Sequence, residues 1–397
     1  MPSRSGRQGR TARRIGLRTG KIPVVAVLME TSRSFGRGVI RGITAYAAAH
    51  GPWNLSITPG DIDQRVPSAE RWHVDAIIGR IASQHTLLEV LGRRVPTVYI
   101  DSGVCRRKIP CVKSDQASIC SLAFEHLRDR GLRHFAFYGM NTYWGNERRT
   151  HFEQCVRAAG LEARSFKYCG HDKKTLERQL ADWLVDLPKP VGLMAQDDLL
   201  AHEAINVCRF LGMDVPGQVA IIGVDNDELI CNASSPPLSS VALNCEQVGF
   251  QAASALDCLL AGKKTDMFVL VNPRGVVPRQ SSDAVCVDDS EVAAALRFIR
   301  SHLREKISVD DLQRQALVSR RVLEMRFEKV LGRSPHEEIL RCRMERAKDL
   351  LVSTNDKVSA ISDAAGFASV QYMHRVFQRE LRRTPAAFRA ANRPFAH

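Results

Sequence analysis

The chain has 397 residues, 44% of them hydrophobic and 25% charged, which excludes a single small module and a collagenous or low-complexity chain and predicts two or three domains. Lys and Arg number 57 against 43 acidic residues, and the resulting +14 lies wholly at the ends: residues 1–21 carry +7, residues 290–397 carry +8, and the stretch between carries −1. A near-neutral middle flanked by basic ends predicts a sensing part joined to a part that binds a polyanion.

Residues 1–21 hold seven Arg or Lys and no acid, with little periodic hydrophobicity, and are expected to form a disordered tail outside the fold. From residue 22 short apolar runs alternate with helical patterns. "IPVVAVLME" reads as a buried strand, and the stretch after it places Val39, Ile43 and Tyr46 on one helical face before stopping at Gly51. Further strands are expected at "WNLSI", "DAIIGRI", "PTVYID", "HFAFYGM", "PVGLMAQ" and "VAIIGVD", most of them followed by a helix such as "ASICSLAFEHLRDRG" or "LLAHEAINVCRFLG". Continuous rather than alternating strand hydrophobicity predicts parallel sheets covered by helices on both faces. Residues 22–281 are too many for one comfortable core and predict two α/β lobes. After "VVPRQSSDAVCVDDS" no convincing strand remains. A linker is expected over 282–290, and Val292, Leu296, Ile299 and Leu303 open an all-α domain over 291–397.

That second domain contains an internal repeat. "RFEKVLGRSPHEEI" recurs 50 residues later as "VFQRELRRTPAAFR", superposing Phe327 on Phe377, Ser334 on Thr384 and Pro335 on Pro385. Ser or Thr followed by Pro suits a helix entry, since the hydroxyl accepts an N-terminal backbone N–H and Pro fits the first helical position; Glu337 adds a capping-box partner in the first copy. Upstream of each copy the sequence reads as a short helix, a turn and a second helix, the pattern of a helix-turn-helix.

Motifs of catalysis are missing: "HEEIL" lacks the second His of a zinc protease, and neither G-x-S-x-G nor a phosphate-binding P-loop occurs. Gly36, Gly38 and Gly42 mimic a dinucleotide fingerprint at the wrong spacing, so close helix packing is the better account and no cofactor is expected. The cluster Asp225-Asn226-Asp227-Glu228 departs from a calcium loop at the next two positions, so no metal is expected either. Eleven cysteines, an odd number with no C-x-x-C pair, are expected to be buried free thiols of a reducing cytosol, and no apolar run reaches membrane-spanning length.

Asp197 and Asp225 follow apolar strands, where open α/β sheets place ligand groups, and carboxylates there suit the hydroxyls of a sugar. A carboxylate in that position also serves as a helix N-cap. In the second helices of the two repeats, core packing of Leu323 and Phe327, and of Tyr372, Met373, Val376 and Phe377, leaves Arg320, Arg321 and Glu324 and then Ser369, Gln371, His374 and Arg375 to face a DNA major groove.

"GFASVQYMHRVFQRELRRTPAAFR", with "RMERAKDLL" before it, resembles the AraC-type DNA-binding domain over about the last 105 residues, a pair of helix-turn-helices joined by a helix expected here at Glu337 to Val352. Leu317 and Arg382 stand where relatives carry Gly, and Met373 where they carry Phe. Residues 22–280 resemble the effector domain of LacI/GalR-type repressors, the periplasmic-binding-protein fold. The combination, with "HFAFYGM", "LADWL" and "IIGVDNDEL", is similar to bacterial xylose-responsive operon regulators. By resemblance the sugar ligands fall on Asp115, Arg148, Asp197 and Asp225, with Trp144 and Phe35 as apolar platforms, and His151 stands where relatives have Gly. The resemblance further implies a cytoplasmic homodimer that binds a small sugar between its lobes, occupies adjacent half-sites on double-stranded DNA and activates catabolic genes through RNA polymerase. An enzyme of nucleotide-dependent sugar chemistry would instead bind NAD or ATP, and a regulator with a ligandless sensor would bind no sugar at all.

Overall fold

The computed structural model describes residues 22–57, 73–81, 84–101, 109–168, 173–283, 289–305 and 307–392; the basic tail 1–21 and residues 284–288 of the expected linker lie outside the described residues. The elements begin with β1 (Val24–Leu28), α1 (Ser34–His50), β2 (Asn54–Ile57), β3 (Ala76–Gly79), α2 (Gln84–Gly92), β4 (Thr97–Ile100) and β5 (Cys111–Ser114). They continue with α3 (Gln116–Arg128), β6 (His134–Tyr138), α4 (Tyr143–Ala158), β7 (Ala163–Ser165), α5 (Lys173–Asp186), β8 (Val191–Ala195), α6 (Asp198–Phe210), β9 (Val219–Asp225), α7 (Glu228–Ala233) and β10 (Ser239–Ala242). Then come α8 (Cys245–Leu260), β11 (Phe268–Val271), β12 (Gly275–Val277) and a 3-10 turn at Gln280–Ser282. The remainder is helical: α9 (Ser290–Ser301), α10 (Val309–Ala316), α11 (Arg320–Leu331), α12 (Pro335–Ser353), α13 (Val358–Ala364), α14 (Val370–Leu381) and α15 (Pro385–Asn392).

The strands form two six-stranded sheets, ordered β11-β5-β4-β3-β1-β2 and β12-β10-β9-β8-β6-β7. Two compact units divide the chain, Met1–Lys113 with Cys245–Leu270 and Ser114–Asn244 with Val271–His397. The strands β3, β4, β5 and β8 are buried along their whole length, as parallel strands covered on both faces must be. The expectation of wholly parallel sheets needs one correction: β12 runs antiparallel to β10. Its first residue, Gly275, pairs with Ala242, the last of β10, so the chain enters the sheet at the end where β10 leaves it.

In the first unit the glycines of α1 make a close crossing with α8. A Cβ on Gly42 would stand 2.0 Å from the Glu246 carbonyl oxygen, and one on Gly249 would stand 2.0 Å from that of Val39. Backbone touches backbone from both sides, which only glycine permits, so these residues serve packing.

The helical part has two separate cores. Leu296, Ile299, Leu312, Leu323 and Phe327 fill the first, and Met344, Leu351, Ile361, Phe367, Met373 and Phe377 fill the second. The repeated entry behaves as its residues dictate: Ser334 and Glu337 form a reciprocal capping box across Pro335, and the Thr384 hydroxyl accepts the Ala387 N–H at 3.2 Å. The turn glycines do not repeat. Gly332 closes α11 at φ 66°, whereas Arg382 closes α14 at φ 53°, and Leu317 closes α10 at φ 54°. Leu317 is 89% exposed, so no packing compensates its left-handed backbone. Leu317→Gly is expected to stabilise the first helix-turn-helix by about 0.5–1 kcal/mol, the relief of Cβ strain less glycine's greater unfolded freedom. A higher urea midpoint for the helical domain checks this; a lower one would show that Leu317 rests there without strain.

Candidate functional site

In the second unit β6, β8 and β9 are parallel neighbours; Asp197 and Asp225 stand at the carboxyl ends of β8 and β9, Arg148 and Trp144 lie on α4, and Asp115 precedes α3. Arg148 is the buried centre, only 2% exposed on the inner face of α4. Its Nε donates to Gln116 Oε1 at 2.8 Å and its Nη1 donates to the Gln196 carbonyl oxygen. The Cys120 thiol donates to the Arg148 carbonyl at 3.2 Å, and burial raises that thiol's pKa, so it stays protonated. The Gln116 and Gln196 partners sit beside Asp115 and Asp197, which draws three expected ligands to one place.

Both of those carboxylates are helix caps. Asp115 accepts from the Ser118 N–H at 3.1 Å and from its hydroxyl at 2.6 Å, and Asp197 accepts from the Leu200 N–H at 3.0 Å. Capping fixes where the oxygens stand and leaves lone pairs for further donors. Asp225 is not a cap, since Asp227 fills that role for α7 by accepting from the Leu229 N–H. Instead Asp225 ends β9 at φ 110° and Asn226 follows at φ 53°. Two consecutive non-glycine residues in the left-handed half of backbone space are sparsely populated elsewhere, and such strain concentrates at ligand sites.

The neighbours hold this bend. Asn226 N–H donates to Ser240 Oγ at 3.0 Å, and Arg279 Nη2 donates to Asn226 Oδ1 at 2.9 Å. Asp198, which sequence reasoning missed beside Asp197, accepts from Ser240 Oγ at 2.6 Å and from the Asp227 N–H at 2.7 Å, joining the loops after β8 and β9. Burial first and the Asp225 carboxylate second push its pKa well up. Gln196 was also missed: its Oε1 accepts the Met140 N–H at 2.9 Å, and a Cβ on Gly145 would fall 2.1 Å from that oxygen. The tandem "QDD" was the one available signal for both. Trp144 lies half-buried in the first turn of α4, and His151, in the same helix, is half-buried too.

Phe35 belongs to the first unit and is described there by itself. It is 3% exposed, with the Arg80 guanidinium 4.6 Å over its ring. Arg80 directly follows β3 and pairs at 2.7 Å with Glu30, two residues beyond β1. This buried pair at strand carboxyl ends was not foreseen, because "GRI" and "LME" give no spacing cue.

The expected DNA-facing residues lie on the outer faces of α11 and α14. Arg320, Arg321, Glu324, Gln371 and Arg375 are exposed, and Ser369 and His374 half-buried. Arg320, Ser369 and Arg375 line one groove of about 550 Å³ with Ser308, His336 and Tyr372. Arg320 is paired with Glu324 at 3.0 Å and Asp310 at 3.6 Å, exposed ion pairs that exchange readily for a phosphate or base. Arg375 lies 5.6 Å over the Tyr372 ring, which holds the guanidinium outward. Ser369 caps α14 by accepting the Tyr372 N–H, which leaves its O–H as a donor.

Among the described residues no group of three metal-binding side chains occurs and no helix is long and apolar enough to cross a membrane. All the described free cysteines are buried or half-buried.

Residues 124–282 match the periplasmic binding protein-like domain family and residues 312–391 match a helix-turn-helix domain family. The xylose operon regulatory protein of Escherichia coli K12 is 30% identical over 381 residues, covering 93% of this chain and 97% of that protein. The protein of the same description from Haemophilus influenzae is 30% identical over 380 residues, covering 92% and 97%. A solved structure described as a xylose-binding transcription activator superposes with a TM-score of 0.61 at 29% identity, covering 94% of this chain and 99% of that one. Identity at this level along nearly the whole of both chains means that the chain belongs to the family of the bacterial xylose operon regulatory proteins, DNA-binding transcription regulators.

Proposed function

We propose that the second unit binds a small sugar of the pentose class, D-xylose first, on Asp115, Arg148, Asp197 and Asp225, and that binding changes how α11 and α14 engage an operator. The observation that carries this is Arg148. A guanidinium at 2% exposure is costly to bury, yet its hydrogen bonds to Gln116 and Gln196 take two of five N–H groups. Gln116 and Gln196 adjoin Asp115 and Asp197 in the chain, carboxylates already immobilised by capping, and a polyol offers both acceptors and donors to such a set. The names of the Escherichia coli and Haemophilus influenzae relatives support xylose as the first sugar to try.

In this reading residues 22–281 are the sensor, residues 291–397 the DNA-binding domain, and two copies of the chain occupy adjacent half-sites in the cytoplasm, recruiting RNA polymerase when the sugar is bound. The ligand shifts DNA binding by its differential affinity for the two arrangements of the domains.

Calorimetric titration of the purified protein with D-xylose, and with arabinose, ribose and glucose for comparison, tests the sugar. Saturable heat with xylose alone supports the reading, and no heat with any pentose overturns it. Asp225→Ala is expected to remove that heat while basal DNA retention stays as in the wild type, because Asp225 lies at the end of β9 and not in the helical domain.

A further inference from the structure

Helix α3 begins at the candidate sugar site and ends at the helical domain. Asp115 caps its start, and Gln116 in its first turn holds Arg148. Its 13 residues span about 20 Å. Ile119, Cys120, Ala123, Phe124 and Leu127 are buried along one side, so it is anchored as a rod.

Asp129 follows its last turn. An acid at a helix C-terminus opposes the helix dipole, so the choice of Asp there serves something outside the helix. Its two oxygens meet two arginines of the DNA-binding part, Arg333 Nη2 at 2.9 Å and Arg341 Nη1 at 3.0 Å. Both arginines also pair with Glu338, whose side chain is wholly buried: Arg341 donates to it at 2.7 Å, and Arg333 Nε lies 3.1 Å away in an ion pair without hydrogen-bond geometry. Two acids and two bases thus close a ring. Beside it, Arg133 Nη2 donates to the Val330 carbonyl at 3.0 Å, in the last turn of α11. His126 of α3 stands 2.7 Å from the Ser282 hydroxyl, and Arg130 donates to the His126 carbonyl at 2.8 Å. Burial, then Arg130, Arg341 and Arg300, hold the His126 imidazole neutral, so His126 adds no charge beside the ring.

We infer that α3 is the transmission element of this regulator, with the ring of Asp129, Arg333, Glu338 and Arg341 as the joint that fixes the first helix-turn-helix against the sensor. The inference rests on the sugar reading above. A ligand that pulls on Asp115 or Arg148 acts on the near end of a packed rod. The far end moves Asp129, and α11 and α12 follow because they are tied to it by both side chains and backbone. The second helix-turn-helix is reached through α12, so its spacing from the first is not altered by the joint itself.

Asp129→Ala in the full chain is the test, because Arg333 and Arg341 stay paired with the buried Glu338 and the helical domain keeps its fold. Hydrogen–deuterium exchange is followed in α11 and α12 with and without saturating D-xylose, alongside calorimetry of xylose on each protein. The expected result is a xylose-dependent change in protection of Arg320–Leu331 and Pro335–Ser353 in the wild type. Asp129→Ala is expected to lose it, with xylose affinity held within about threefold, and Asp129→Glu to restore part of it. Arg133→Ala, at an exposed position, is expected to weaken the change in α11 alone. If the wild type binds xylose with no change in either helix, or Asp129→Ala keeps the full change, the transmission path is overturned and the sugar reading stands. If the wild type binds no sugar, both fall.

Discussion

Arg148→Ala is expected to abolish measurable sugar binding. Charge-assisted hydrogen bonds of a buried guanidinium contribute about 1.5–3 kcal/mol each, and two such bonds to a sugar amount to at least a hundredfold in affinity. The truncation has a second cost, because Arg148 is also the piece that orders the site. Gln116 Oε1 and the Gln196 carbonyl lose their donor, and Asp115 and Asp197 lose the neighbour that sets their loops. Each orphaned buried acceptor costs about 1–3 kcal/mol, so the thermal midpoint of the second unit falls as well. Arg148→Lys separates the two effects: it keeps a cation but lacks the planar fork, so it is expected to recover stability more than affinity. Calorimetry with xylose and a thermal scan on the same samples make the comparison. Wild-type sugar affinity in Arg148→Ala would remove the guanidinium from the ligand set.

Phe377→Ala is expected to dismantle the second helix-turn-helix while the first survives. Phe377 is fully buried in a core of its own with Met344, Leu351, Ile361, Phe367 and Met373, and it stacks edge-on to Phe388 of α15 at 5.9 Å. Removing a buried Phe costs about 3–5 kcal/mol, most of what a core of this size supplies. The first helix-turn-helix keeps Phe327 in its separate core. Loss of one of two linked DNA contacts removes the gain from simultaneous engagement, at least about a hundredfold in affinity. A duplex selected from random sequence by the wild-type protein provides the probe, and xylose calorimetry provides the control. An unchanged sugar affinity with lost DNA retention places the two activities in separate parts of the chain. Equal loss of both would mean that the helical domain and the sensor fold as one.

Legibility in the sequence followed the strength of local rules. Strands of continuous apolar residues, such as "VVAVL" and "VAIIGV", were readable because burial on both faces leaves no other pattern open to them. The helix-turn-helix pair was readable because its signal repeats: Phe327 and Phe377 at one core position, Ser334–Pro335 and Thr384–Pro385 at one helix entry. The glycines of α1 were correctly taken as packing residues, since their spacing failed the nucleotide pattern.

Other features are decided only by the tertiary structure. The strand β10 reads "SSVA", and nothing local makes Ser239 and Ser240 fully buried. Their hydroxyls are satisfied by the Arg279 backbone, 40 residues away, and by Asp198, 42 residues away. A hydroxyl's partner has no sequence signature when it comes from another element, so a buried serine strand looks like a loop. Lys113 and Ser114, at the end of β5, are polar and buried in the same way. Arg148 could be named from resemblance, but its partners Gln116 and Gln196 are set by the packing of α4 against α3 and by the loop after β8. Nothing in the sequence marks Asp129, and only the approach of Arg333 and Arg341 makes it part of a ring. Short-range propensity and periodicity therefore determined the elements, their order and the two classes of domain. Long-range hydrogen bonds and ion pairs, whose strength depends on burial, decided which polar residues meet and which of them work together.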